Sequence, residues 1–240
     1  MLTRRGYPES VELFRSAARA VSGIASVAGP VVGLVASQTP RVRETIGVSL
    51  RLPRTAQTSR PWRIHEITRD FRLEDVWAVP TPGDADDFGR LVHLIASGDP
   101  TRGAPRSVRV LWAIRWKVGE LLGLDKPEGA AAPPTLRDRL PADLRAGPAG
   151  PEFTALPFSS LYLLDDEWAA EIANRTMRGV MHIGWVPDGE GGYRGQLAVY
   201  VRPNGLLGTA YMAAIRPFRH LIVYPRMLRQ TGRAWQTSST

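Results

Sequence analysis

The pattern that most limits the fold lies in residues 158–203, where short alternations of apolar and polar residues follow one another with turn residues between them. FSSLYLLDDEWAAEI predicts two short strands around Asp165 and Asp166, and RGVMHIGWVP predicts a third, which should stop at Pro187. After the turn DGEGG, YRGQLAVYVRP alternates as a fourth strand. Strands joined by short turns pair antiparallel, so this region predicts a hairpin-rich sheet, and its glycines form a turn and not a phosphate loop.

The chain after Asn204 predicts one long amphipathic helix. Its apolar stripe recurs at alternating steps of four and three, through Leu207, Tyr211, Ala214, Phe218, Leu221, Pro225 and Leu228. The polar side carries Arg216, Arg219, His220 and Arg226 and should face water. Pro217 and Pro225 each remove a backbone donor and should bend this helix; alternatively, Pro217 begins a second helix at its first turn.

Three further elements are predicted upstream of the strands. Residues 64–80 indicate a first strand, and a helix should begin at the acids of residues 84–87 and end near residue 97, with His93 on its surface. Residues 107–123 predict a second helix that is apolar on two sides. The proline-rich stretch 125–157 contains TLRDRLPADLR, which is either an ordered crossing segment or a solvated connection.

The N-terminal part, residues 1–58, is predicted as an extension outside the core, and residues 59–240 as the main domain. The uncharged run of residues 20–37 has three interpretations: a transmembrane helix, a signal peptide cut after Ser37, or a poorly specified helical extension. We favour the last, or translation from an upstream start, because glycines, a proline and serines dilute the run as a membrane span, and Glu9 and Glu12 disrupt the basic region that a signal peptide needs.

The charge is basic at both ends of the chain. Residues 1–60 hold nine arginines against three acids, and residues 191–240 hold seven arginines and no acid. The aromatic-interleaved basic motifs of RNA-binding modules are missing, so nucleic-acid binding is not favoured. Cysteine is absent, which excludes disulfides and thiolate metal sites. We expect a cytoplasmic protein, with attachment to a membrane surface as an alternative, and the oligomeric state stays open.

The order strand, two helices, antiparallel strands and long last helix resembles the helix-grip architecture of the START-like (SRPBCC) superfamily. More narrowly, SVRVLWAIRWKVGELLG, TLRDRLPADLR and GLLGTAYMAAIRPFRHLIVYPRMLR resemble the bacterial family called domain of unknown function 2867, over residues 62–235. The resemblance implies an α+β fold in which a curved antiparallel sheet wraps a long kinked helix around an internal cavity.

Three functions remain open on this basis. The first is a module that binds a small apolar ligand, with no cofactor and no metal, in a cavity lined by Trp112, Trp116, Asn174, Thr176, Trp185, Gln196, Tyr200 and Tyr211. The second is an enzyme of the cyclase, dehydratase or hydrolase kind, for which His182 with Glu171 or Asp166 is the candidate pair, although a lone strand histidine is more often structural. The third is binding of a membrane surface or partner protein through the basic last helix.

Overall fold

The computed structural model describes residues 50–98, 135–174 and 177–238, all within one compact unit, Val48–Thr240. The elements in chain order are helices α1 (Thr55–Thr58) and α2 (Ile64–Ile67), strand β1 (Arg72–Ala78), a 3-10 turn (Ala85–Asp87) that runs into helix α3 (Phe88–Ser97), a second 3-10 turn (Leu136–Arg139), helix α4 (Ala142–Ala146), strands β2 (Ser159–Leu163), β3 (Glu167–Ala173), β4 (Met177–Pro187) and β5 (Tyr193–Pro203), helix α5 (Gly205–Phe218), a π-helical turn (Arg219–Val223) and helix α6 (Tyr224–Thr237). The predicted α+β class is confirmed.

The sheet is antiparallel and has the strand order β1-β5-β4-β3-β2. Strands β2 to β5 form a meander, as the sequence predicts, and β4 pairs with β5 from Met177 opposite Pro203 to Pro187 opposite Tyr193. The connecting turn uses Gly189 and Gly191 at φ of 91° and 98°, which only glycine adopts readily. The carboxylate of Asp188 accepts the backbone N–H of Gly192 at 3.0 Å and closes the turn.

Both faces of the sheet are covered. One face, here called the helix face, presents Trp77, Leu197, Ile183 and Trp168 from paired positions and carries α3 and α6. Residues one position along in each strand form the opposite face, which is covered by residues 52–71 and 135–146. We call residues 135–146 the strap and this second side the strap face. Because the side-chain period of a strand is two, each strand contributes to both cores.

The strap is ordered and carries three buried leucines, Leu136, Leu140 and Leu144, at intervals of four residues. Its first turn is fixed to β3 because the Glu171 carboxylate accepts the backbone N–H of Leu136 at 3.0 Å and the hydroxyl of Thr135. The sequence left an ordered segment and a solvated connection open, and the structure shows the ordered one.

The region before β1 differs from the prediction of one strand over residues 64–80. Ile64 and Ile67 are buried three residues apart, which is the spacing of one helical turn, and α2 occupies this position before β1 begins. Residues 50–58 also pack with the sheet: the N–H of Leu52 donates to Val76 O at 2.8 Å, and Gln57 is fully buried. These residues lie before the boundary predicted at residues 58/59.

Helix α3 follows the prediction closely. The backbone N–H of Asp84 donates to the Asp87 carboxylate at 2.9 Å in a capping box at the start of the 3-10 turn. Phe88, Leu91 and Val92 are buried against the helix face, and His93 is exposed as expected.

The last helix is interrupted, and the interruption corrects the predicted stripe. The π-helical turn takes one more residue per turn than an α-helix, so the residues that follow it are rotated relative to a constant period. Leu221, predicted to be apolar core, is 77% exposed. Arg219 and His220, predicted to face water, turn toward the sheet, with 12% and 16% of their side chains exposed. Pro225 lies in the first turn of α6, the position proposed for Pro217.

Strand β1 carries a matching irregularity. The pairing of β1 with β5 shifts by one residue between Leu73 and Asp75, which is the signature of a β-bulge. Glu74 and Asp75 therefore both reach the same guanidinium, since Arg219 Nη2 lies 3.4 Å from Glu74 Oε2 and 3.5 Å from Asp75 Oδ2. The bulge in the sheet and the π-turn in the helix lie face to face.

Candidate functional site

A pocket of about 420 Å³ opens on the strap face of the sheet, between the chain before α2 and the β2–β3 turn. Two short stretches of chain form its wall: Arg60, Pro61, Trp62, Arg63, Leu164, Asp166 and Glu167. The volume falls in the range of ligand sites in proteins, roughly 300–1,000 Å³. The lining combines apolar surface with four charged side chains.

Backbone and side-chain hydrogen bonds hold the two stretches together. The N–H of Leu164 donates to Glu167 O at 2.8 Å and closes the β2–β3 hairpin. The N–H of Trp185 donates to Asp166 O at 2.7 Å and ties this hairpin to β4. The N–H of Arg63 donates to Glu167 Oε1 at 2.8 Å, so the carboxylate joins both sides of the pocket.

Glu167 is nearly enclosed, with 3% of its side chain exposed. Its second oxygen, Oε2, accepts the Tyr162 hydroxyl at 3.0 Å and lies 2.9 Å from His182 Nε2. Burial by itself raises the pKa of Glu167, but the hydrogen bonds from His182, Arg63 and Tyr162 hold that pKa below its usual value. Glu167 is therefore a carboxylate in the folded protein.

The proton on His182 follows from its two partners. A carboxylate can only accept, so Nε2 carries the hydrogen, and Nδ1 accepts from the Gln57 amide nitrogen at 3.1 Å. The ring is completely buried, and burial lowers the pKa of His182 against the opposing effect of Glu167. The histidine is neutral, and both of its nitrogens are engaged inside the protein.

The network continues through two glutamines on the strap face. The Gln57 amide also donates to the Tyr200 hydroxyl at 3.1 Å, and its oxygen accepts the Gln196 amide at 2.8 Å. The Gln196 nitrogen donates in addition to Ala56 O at 3.2 Å. Buried polar groups that satisfy one another in this way fix a single arrangement of the wall behind the pocket.

Two residues that line the pocket carry hydrogen-bond donors without an acceptor in the described part of the chain. The indole Nε1 of Trp62 is buried without a hydrogen-bond partner. The Arg60 guanidinium lies 5.8 Å from the centre of the Trp62 ring and forms no ion pair with any described acid. Arg63, by contrast, binds Asp143 at 2.8 Å and also Glu66, and these hydrogen bonds raise the pKa of Arg63.

The two neighbouring acids of the pocket have opposite electrostatic behaviour. Burial and then the charge of Glu167 raise the pKa of Asp166, whereas the pKa of Glu167 is lowered. Side chains whose environments move their pKa values apart are typical of acid and base pairs in enzymes.

The predicted site residues are divided among several places. Gln196 and Tyr200 join His182 in the network behind the pocket. The partner of His182 is Glu167, while Glu171 fixes the strap and Asp166 lines the pocket. Glu167 could have been found from strand alternation, because it shares a strand face with Glu171.

Other predicted residues lie away from the pocket. Trp185 is on the helix face, 6.0 Å from the Trp235 ring, and its indole donates to Asp84 O. Asn174 accepts the N–H of Met177 at 3.0 Å at the β3–β4 turn. Trp112, Trp116, Thr176 and the side chain of Tyr211 lie outside the described residues.

The cavity was expected between the sheet and the last helix, but α6 packs directly on the sheet in the described region. The rings of Trp77 and Tyr224 are 5.1 Å apart. A Cβ atom added at Gly232 would lie 2.8 Å from Pro80 Cγ, so the two backbones approach closely here. Among the described residues, no group of three His, Asp or Glu side chains is arranged to hold a metal ion.

A family model with the description "Protein of unknown function (DUF2867)" matches residues 67–226. The match extends from the end of α2 to the beginning of α6 and includes all five strands. Comparison with curated proteins and with solved structures finds no significant match.

Proposed function

Because the chain belongs to the DUF2867 family of proteins of unknown function, we propose from its own geometry that it binds a small molecule in the pocket beside Glu167. The observation that carries the proposal is an opening of ligand size lined by Trp62, whose buried Nε1 has no hydrogen-bond partner, and by Arg60, whose half-buried guanidinium pairs with no described acid. Buried donors in proteins nearly always have a partner. A bound ligand would supply the missing acceptor.

The lining indicates what kind of ligand fits. Arg60 and the Trp62 indole favour an anionic or carbonyl oxygen, since both can only donate. Pro61, Leu164 and the Trp62 ring offer apolar surface beside these donors. The proposed ligand is therefore a small, partly apolar molecule with one acidic or carbonyl end, which is more polar than the purely apolar ligand expected from the sequence.

The fold is consistent with a helix-grip module as part of this proposal. A five-stranded antiparallel sheet is followed by the long interrupted helix, as in the START-like architecture that the sequence resembles. The supporting features are the element order and the position of α6 on one sheet face. Fold alone is a weak argument for function, so the ligand proposal depends on the pocket.

A second candidate function is acid–base catalysis in the same pocket. It is favoured by the raised pKa of Asp166 next to a carboxylate whose pKa is lowered. Asp166 would exchange a proton with the substrate, while Glu167 stays ionised. His182, the residue suggested by the sequence, is fully buried and hydrogen-bonded through both nitrogens, so its position supports a structural role.

Nuclear magnetic resonance of the indole N–H groups tests the binding proposal. The protein is titrated with butyrate, hexanoate and benzoate, and the Trp62 signal is assigned by its loss in Trp62→Phe. We expect that signal to move downfield with at least one acid, because the indole gains an acceptor. Arg60→Gln should weaken the effect, and Arg54→Gln, an exposed neighbour outside the pocket, should not.

The result that would contradict binding is a Trp62 signal unmoved by every acid at saturating concentration. A shift that persists unchanged in Arg60→Gln would place the anionic end elsewhere. Asp166→Asn separates the two functions: it leaves binding intact if the protein only binds, and it abolishes turnover of the ligand if Asp166 exchanges a proton.

A further inference from the structure

One exposed face runs along the whole last helix. Its members are spaced three to five residues apart along α5, the π-helical turn and α6. In chain order this outer face consists of Leu206, Ala210, Ala213, Arg216, Leu221, Arg226, Arg229 and Arg233, all exposed. The opposite side of α6 is buried through Tyr224, Leu228 and Trp235.

The outer face combines two features that are unusual together on a free surface. Leu206 and Leu221 are 90% and 77% exposed, which leaves large apolar side chains in water. Four arginines accompany them, and none forms an ion pair with a described acid. Residues 191–240 contain no acidic residue, so the helix has no negative charge of its own to balance these arginines.

We propose that the outer face of the last helix docks on a membrane surface rich in anionic lipid. The arginines meet the negative headgroups, and each cation near such a surface contributes attraction that falls off within a Debye length. The two leucines enter the boundary between headgroups and acyl chains, as apolar residues of interfacial helices do. Nucleic acid offers the phosphates but no apolar layer, so the leucines favour lipid.

The contact is a surface contact. No helix in the described part of the chain is long and apolar enough to cross a membrane. The apolar side of α6 already packs against the sheet, so the helix can dock without leaving the domain. This inference is independent of the pocket, which lies on the strap face.

Vesicle flotation tests the proposal with the full chain. One set of vesicles is phosphatidylcholine alone, and the other contains equal parts of phosphatidylcholine and phosphatidylglycerol. We expect binding only to the second set, weakened by added salt. The variant R226Q/R229Q/R233Q should lose roughly a hundredfold in affinity, from about 1 kcal/mol for each arginine. The control R54Q/R69Q/R137Q removes the same charge from exposed positions elsewhere and should bind normally.

Several outcomes would overturn the proposal. Equal binding to both vesicle sets would show that anionic lipid is not required. An equal loss of affinity in the control variant would show that binding depends on the net charge of the protein and not on this face. The variant L206S/L221S should weaken vesicle binding several-fold while leaving duplex DNA binding unchanged. If it has no effect, or if DNA binds through the same arginines and vesicles do not, the lipid assignment is wrong. Circular dichroism confirms that each variant is folded.

Discussion

The Asp75 carboxylate lies 2.6 Å from Nε2 of His220, and this contact joins the β-bulge of β1 to the π-helical turn before α6. The Asp75 side chain is fully buried. Arg219 approaches its other oxygen at 3.5 Å, and Arg51 approaches from the N-terminal side at 3.6 Å. Each irregularity brings two consecutive polar residues to this contact, Glu74 and Asp75 from the bulge and Arg219 and His220 from the π-helical turn.

Asp75→Asn should therefore be strongly destabilising. Removing one partner of a buried ionic cluster leaves the others without compensation, which typically costs about 3–5 kcal/mol. Asp70→Asn is the matched control, because Asp70 also binds two arginines, Arg139 and Arg202, but 42% of its side chain is exposed. We expect less than about 1 kcal/mol there. Urea unfolding measures both, and equal costs would contradict the buried role of Asp75.

The neutral state of His182 predicts how stability depends on pH. The folded-state pKa of His182 lies below its ordinary value of 6.5, so the unfolded chain binds the extra proton first. The contribution of His182 to the free energy of unfolding is complete above pH 6.5. It decreases as the pH falls toward the folded-state pKa, by at most about 1.4 kcal/mol per pH unit. Glu167, whose pKa is lowered from 4.5, adds a further loss below pH 4.5.

The variant His182→Gln isolates the histidine contribution. Glutamine can donate to Glu167 and carries no titratable proton, so the profile of unfolding free energy against pH should flatten just below pH 6.5 while the loss below 4.5 remains. A variant profile parallel to that of the wild type would show that His182 does not titrate on unfolding.

Gly184→Ala should disturb the pocket wall through Trp62. A Cβ atom at Gly184 would lie 2.8 Å from Cζ2 of the Trp62 ring, which packs edge-on against His182 at 5.2 Å. Overpacking of this kind costs about 1–3 kcal/mol. The control is Gly89→Ala in α3, where no atom lies within 4 Å and alanine should stabilise the helix by up to about 1 kcal/mol. Thermal unfolding should show a lower melting temperature for Gly184→Ala and a higher one for Gly89→Ala.

Glu171→Leu should release the strap without unfolding the sheet. The substitution removes the acceptor of the Leu136 N–H and the Thr135 hydroxyl, and unsatisfied buried donors cost about 1–3 kcal/mol. Hydrogen exchange should accelerate in residues 135–146 and stay slow in β4 and β5. Glu152→Leu, at an exposed position, serves as the control. Uniform acceleration over the whole domain would mean that the strap and sheet unfold as one unit.

Sequence periodicity was sufficient for the regular parts of the fold. The four strands of the meander, the turn after Pro187 and helix α3 all follow from alternation, turn glycines and an acidic first turn, because these signals are local. The outcome for Leu221 and His220 shows the limit. Both were assigned with a constant rotation of 100° per residue. The π-helical turn over Arg219–Val223 contains both residues and has a smaller rotation per residue, so their predicted sides were wrong.

The pocket depends on contacts that local patterns cannot encode. Gln57 lies in a polar, proline-flanked stretch that resembles a linker, yet it is fully buried between His182 and Gln196. Its burial requires partners more than a hundred residues away in the chain. His182 was identified from the sequence as the candidate acid–base residue, but nearness in sequence suggested Glu171 or Asp166 as its partner, whereas the structure places Glu167 there.

The position of β1 at the edge of the sheet has a consequence for synthesis of the chain. Every strand of the meander finds its neighbour within one short turn, whereas the only neighbouring strand of β1 in the described sheet is β5, the last strand to be made. The ribosome therefore releases Val76 and Trp77 long before Leu197 and Ala198 exist to cover them. Long-range pairing of this kind is slow and leaves apolar surface open. We therefore expect chaperones to bind residues 72–79 of the nascent chain until β5 has been made.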